Sequence, residues 1–280
     1  MHSMKKTKKV GHIATHVVLI LAGLFFLLPF FWMLSTALKS DQQLYLNPPV
    51  WIPDPIMWEN FSEAVTSIPF FKYMGNTCWV AFMDVLGTVL VCPLVAYGLS
   101  RLEWKGRDVL FFLTISVMMI PHEVTMIPQF IMYSKFGLVG TYAPLYLAAF
   151  FGGRPFMIFL LRQFFMNLPR DLEDAARIDG ASELRVYAEV VLPLVVPGIL
   201  TVGLFRFMNS WNDFLGPLLY LSDDAKYTIT IGLQMFTTQY KTEWSLLMAA
   251  SLLVTVPVIA VYFVVQKRFI EGITFSGIKG

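Results

Sequence analysis

The sequence predicts an all-α membrane protein of six transmembrane helices, with a cytoplasmic helix-glycine-helix loop between spans four and five. Three observations predict it. Hydrophobic residues make up 56% of the 280, charged residues 14%, and mean hydropathy is +0.63, whereas soluble domains carry roughly 25% charged residues. Six apolar runs recur along the chain, each about long enough to cross the hydrocarbon core of a bilayer. Lysine and arginine fall mostly on one side of those runs. A net charge of +2 with dispersed basic residues points to membrane lipid as the surroundings and away from nucleic acid.

In order, Lys5, Lys6, Lys8 and Lys9 precede a run over residues 13–38. It is longer than the 7–15 residues of a signal-peptide core and has no small-residue cleavage site, so it reads as a retained first span. Residues 39–73 are polar and rich in proline, and Tyr45, Trp51, Trp58 and Tyr73 there suit a membrane-water boundary. The second span covers 76–100. The third, 109–133, is interrupted by Pro121-His122-Glu123 and Pro128. The fourth, 141–161, is interrupted by Gly152-Gly153-Arg154-Pro155. The fifth covers 194–221, and a polar loop over 222–243 leads to the sixth, 246–265. Residues 1–12 read as a cytoplasmic N-terminal segment, 13–265 as the six-span domain with its loop at 162–193, and 266–280 as a cytoplasmic tail. Cys78 and Cys92 share the second span about 21 Å apart at 1.5 Å per residue, too far to pair.

Orientation follows from the basic residues. With the N-terminus inside, 14 lie on the inner side and 5 on the outer, while Arg154 and Arg206 lie within spans. That asymmetry puts both termini and the 162–193 loop in the cytoplasm.

The loop itself is punctuated as two short helices. Pro169 suits a helix start. Asp171, Glu173 and Asp174 follow, where the helix dipole favours acids. Arg170/Asp174 and Glu173/Arg177 are spaced to pair on an exposed face. Gly180 stands where a left-handed residue would end that helix. Ser182 suits the cap of a second helix, with Leu184, Tyr187, Ala188 and Val191 on one face. Asp174-Ala175-Ala176, Asp179-Gly180-Ala181 and Leu192-Pro193 together resemble the EAA loop of ABC importer permeases, with Asp174 where that family usually has Glu and Glu173 beside it. Leu160–Phe165, Ser210–Pro217 and the ending Ile278-Lys279-Gly280 resemble the carbohydrate-uptake branch of the family, in particular the second permease of maltose and glycerol-phosphate type transporters.

The resemblance implies a multi-pass protein of a bacterial or archaeal cytoplasmic membrane that passes solute inward by alternating access. It implies four kinds of partner contact: a second, different permease, two ABC ATPase domains, an extracytoplasmic solute-binding protein, and lipid. The sequence has no Walker A pattern, no nucleophile elbow and no cysteine or histidine cluster of metal-site spacing. No catalytic residue, metal ligand or cofactor is therefore expected on this chain, and ATP with its magnesium belongs to the partner ATPase. A self-sufficient ion-coupled transporter is the rival reading, but it would show internal symmetry, which is absent here, and would leave the loop unexplained.

Ionisable and polar groups inside spans are costly and usually face a cavity or one another. Glu123, Arg154, Arg206, Asn209, Trp211, Asn212 and Asp213 are the candidate pathway residues, since sugars are held by aromatic platforms and planar hydrogen-bonders. Asp84 reads as interhelical polar glue, and His122 as either a cavity residue or the partner of a freed carbonyl. Two accounts of the arginines stay open. Either they meet an anionic substrate such as a uronate-containing oligosaccharide, or they form structural ion pairs with Glu123, Asp213 or a carboxylate of the partner permease.

Overall fold

The computed structural model describes residues 2–238 and 241–276, and the side chains of 15–238 and 241–266. The Ile278-Lys279-Gly280 ending and the side chains of the N-terminal lysines and the C-terminal tail lie outside the described residues. Every long element is helical: α1 (His2–Ala37), α2 (Glu59–Thr66), α3 (Phe70–Ser100), α4 (Arg107–Ser116), α5 (His122–Lys135), α6 (Ala143–Phe150), α7 (Pro155–Met166), α8 (Asp171–Ile178), α9 (Val196–Trp211), α10 (Leu215–Tyr220), α11 (Ile229–Gln234) and α12 (Trp244–Ser276). Among the described residues the β structure is one isolated bridge, Thr237 to Thr242.

Four segments are long and apolar enough to cross a membrane: 15–37, 70–100, 143–166 and 244–266. Two further pairs qualify if each bent pair counts as one span. The first is 107–119 with 122–135, bent by 100°, and the second is 183–194 with 196–211, bent by 74°. The first bend has a local cause, because the residue before a proline is pushed out of the helical region. Ile120 is accordingly extended (ψ 117°) ahead of Pro121. The helices also outrun the apolar runs at both ends of the chain, since α1 already starts at His2 and α12 continues to Ser276.

The chain divides into two compact units, Met1–Ile68 with Met235–Thr255, and Pro69–Gln234 with Val256–Gly280. In the first, Asn60 on α2 donates to the carbonyls of Ala37 and Lys39 at 2.8 and 2.9 Å, and Ser35 donates to the Trp51 carbonyl at 2.6 Å. The bond to Ala37 satisfies one of the last carbonyls of α1, which have no helical partner, and the other two tie the following segment to the helix end. Tyr45, Trp51 and Trp58 are exposed, as boundary aromatics would be. Tyr73 is not: helix α3 begins at Phe70, so Tyr73 falls on its inner face, 6.2 Å from the Tyr227 ring.

The second unit is built around α3, against which α6, α7 and α9 pack. Two apolar clusters sit along it. One joins Tyr97, Leu161, Phe165, Val186 and Val191, and the other joins Val80, Tyr133, Leu145 and Tyr220. In this apolar setting the hydroxyls must find a partner nearby, and Thr77, Thr88 and Ser100 each donate to a carbonyl four residues back.

Candidate functional site: a charged cavity and a helix-glycine-helix knob

The cavity begins with Asp84, about 21 Å along α3 from Phe70 at 1.5 Å per residue and fully buried. Each of its carboxylate oxygens takes a different arginine. Arg154 Nη2 donates to Oδ1 at 2.8 Å, and Arg206 Nε donates to Oδ2. Local sequence positions both. Just past the end of α6 the chain turns at Gly152, whose φ of +72° is a region that residues with a Cβ rarely enter. It then runs through Arg154, non-helical at φ −130° and ψ 68°, into Pro155 at the first turn of α7. That break lets the Arg154 side chain reach back to α3. Arg206 comes from the middle of α9.

Both guanidinium groups are largely buried, 21% and 16% exposed, and both line a cavity of about 440 Å³ together with His122, Thr125, Gln129 and Asn209. Of the predicted pathway residues the structure thus brings Arg154, Arg206 and Asn209 together. It does not bring the rest to this cavity. Trp211 is buried against Phe207, at 5.2 Å, beside a separate apolar cavity. Asp213 accepts from the Gly216 amide at 3.0 Å. Asn212 donates to the Met208 carbonyl within its own helix, and Glu123 lies exposed in the first turn of α5. Neither Glu123 nor Asp213 takes the bonds that Asp84 makes to the two arginines. The signal for Asp84 was present, as it is the one charged residue of the 76–100 run.

The knob follows α7. Helix α8 ends with a Schellman arrangement: the Gly180 amide donates to the Arg177 carbonyl and the Ala181 amide to the Ala176 carbonyl, both at 3.0 Å, with Gly180 at φ +84°. Gly180 therefore occupies the predicted left-handed position. Arg177 spans the turn, with Nε and Nη2 on the two Glu183 oxygens at 2.7 and 3.2 Å and Nη1 on Asp174 at 2.8 Å. The Glu183 hydrogen bonds lead in holding the guanidinium above its ordinary pKa.

Several details of the knob depart from the sequence expectations. Glu173 is not on an exposed face. It is 3% exposed and accepts from Arg101 Nε, at the end of α3, at 2.5 Å. Arg101 also donates to the carbonyls of Phe165 and Leu168 at 3.2 and 3.1 Å, so it ties α3 to the knob at Glu173 and to the end of α7 just before it. Arg170 pairs with Glu103 at 2.7 Å and not with Asp174, and that bond holds the Glu103 carboxyl below the usual range. Helix α8 starts at Asp171, two residues after Pro169. Ser182 holds the cap position without a side-chain bond. Residues Val186–Val191 form a π-helix, whose wider turn places side chains five apart on one face. The buried set is therefore Val186, Tyr187 and Val191, and Leu184 and Ala188 are exposed. Leu172, Ile178 and Leu184 stand out as exposed apolar side chains on the knob. Arg101 could not be paired with Glu173 from sequence, because 72 residues separate them.

Against known proteins, residues 89–274 match the family described as "Binding-protein-dependent transport system inner membrane component". The chain is 32% identical over 255 residues to the arabinooligosaccharides transport system permease protein of Halalkalibacterium halodurans, covering 90% of this chain and 91% of that one. It is 32% identical to the diacetylchitobiose uptake system permease protein NgcG of Streptomyces coelicolor, covering 93% and 86%. Among solved structures, a chain of a bacterial ABC transporter involved in the import of the acidic polysaccharide alginate shares the fold, with a TM-score of 0.78 and 24% identity over 94% of this chain and 98% of that one.

Proposed function

The chain belongs to the family of binding-protein-dependent transport system inner membrane components, and from that premise we infer that it is the permease subunit of an ATP-driven ABC importer of carbohydrates. It is a multi-pass transport protein and not an enzyme. The observation that carries the reading is that its likeness to sugar-uptake permeases runs through nearly the whole length of both chains.

Six spans cross the membrane, the third made of the bent pair 107–119 and 122–135 and the fifth starting at Val196 after the knob's 183–194 arm, with both termini and the knob in the cytoplasm. The 14-to-5 division of basic residues supports this sidedness. The knob, Glu173–Ala176 with Asp179–Ala181 and Leu192-Pro193, is the seat of a separate ATPase. Its exposed Leu172, Ile178 and Leu184 suit a docking surface. Its ties through Arg101 and Tyr97 to α3 suit rigid-body transmission of movement into the spans. ATP and magnesium bind the ATPase, and this chain holds no cofactor of its own. A second, different permease completes the pathway, two ATPase domains sit below, and the binding protein delivers solute from outside.

Reconstituting the co-purified complex in liposomes tests this. Carbohydrate uptake should require ATP on the knob side and the binding protein on the other, and should survive collapse of ion gradients. Uptake by this chain alone, driven by an ion gradient, would identify a secondary transporter instead.

A further inference from the structure

We propose that the cavity beside Asp84 is an anion subsite on the transport pathway, built to take a carboxylate or sulfonate carried by the transported carbohydrate. The proposal rests on the carbohydrate-permease reading and narrows its substrate class. It starts from a charge imbalance: one buried carboxylate faces two guanidinium groups, and both of its oxygens are already used, one by each arginine. A structural ion pair needs one arginine. Counted over these three side chains, the second leaves a net charge of +1 in apolar surroundings, where an uncompensated charge is costly; Asp213 acts on Arg206 only through space, bonds the Gly216 amide and does not line the cavity.

The spare charge faces open space. Asp84 is fully buried while both arginines line the cavity, so the acid lies behind them and the positive groups in front. Every carboxylate is absent from the lining among the described residues, and His122, Gln129 and Asn209 add uncharged or weakly basic hydrogen-bonding groups. A guanidinium carries five N–H donors. Asp84 takes one bond from each arginine, so each guanidinium keeps further N–H groups for a ligand. Planar donor arrays of this kind match a carboxylate or sulfonate, and such charge-assisted bonds are about twice as strong as neutral ones. A neutral sugar would leave the imbalance standing.

Either arginine can be neutralised without orphaning Asp84, which keeps the other. Arg154→Gln and Arg206→Gln each bring the site from +1 to 0 with one ion pair intact. Arg206→Lys keeps the charge and serves as the conservative control. Equilibrium binding of glucuronate and of glucose to the detergent-solubilised complex, without the binding protein, reads the subsite directly. Wild type and Arg206→Lys should prefer glucuronate by about tenfold or more, the scale of one charge-assisted bond, and added salt should weaken that preference. Both Gln variants should bind the two sugars about equally. Equal binding by wild type, or an undiminished preference in both Gln variants, overturns the subsite. If the Gln variants do not assemble, loss of preference in wild type at high salt and its retention in Arg206→Lys decide the matter in the same way. ATP-driven uptake by the same preparation keeps the two ideas apart. Uptake without any anion preference defeats this inference alone, whereas no ATP-driven carbohydrate uptake defeats the reading beneath it.

Discussion

Replacing Glu173 with Gln should loosen the knob from α3. The change is nearly isosteric, but it leaves the Arg101 charge buried without a counter-charge, since the two side chains are 4% and 3% exposed. Removing one partner of a buried pair costs about 3–5 kcal/mol. The lower end applies here, because Arg101 keeps its bonds to the Phe165 and Leu168 carbonyls. At about 1.4 kcal/mol per tenfold, roughly 3 kcal/mol raises the population of the opened knob about 100-fold. Val186, fully buried in the cluster that holds the knob down, reports on that opening when replaced by Cys in a Cys78→Ser/Cys92→Ala background. When reclosing outpaces labelling, the rate of thiol modification in the assembled complex tracks the open population, so Glu173→Gln should speed it by about two decades. Arg101→Met/Glu173→Leu should recover most of the loss, because apolar replacement of a whole buried pair is often neutral. Acceleration of less than about fivefold, short of even 1 kcal/mol, would refute the claim that this pair fastens the knob.

Gly180→Val should insert and assemble but lose solute-stimulated ATP hydrolysis, because φ +84° costs a residue with a Cβ about 1–2 kcal/mol; Asp174→Ala, which removes one of several Arg177 contacts, should be milder. A cysteine placed at the exposed Ser182 should resist an impermeant thiol reagent in intact cells and react in inverted vesicles, and labelling from outside would reverse the proposed orientation. Asp84→Asn leaves two guanidinium groups facing each other without their shared carboxylate. It should reduce the yield of assembled complex on a blue-native gel, with Asp84→Glu falling between it and wild type.

The features legible in the sequence were those that local chemistry determines. Apolar runs mark spans because unpaired backbone groups cannot sit in hydrocarbon. A glycine after an alanine-rich acidic turn marks a helix end, so Gly180 appears where the pattern puts it. Only the tertiary structure decided which faces meet. Asp84 reaches Arg154 and Arg206 across 70 and 122 residues, and in a span that is apolar on every side no periodic pattern says which face looks inward. The i,i+4 spacing of Glu173 and Arg177 correctly allowed their contact, at 3.4 Å, but it could not reveal that Arg101 lay behind Glu173 and buried it. The π-turn at Val186–Val191 keeps Tyr187 and Val191 on the knob's buried face but puts Val186 there in place of Leu184 and Ala188. Spacing along a chain determines which side chains can share a helix face; packing between helices determines which of those faces is buried, paired or open to a cavity.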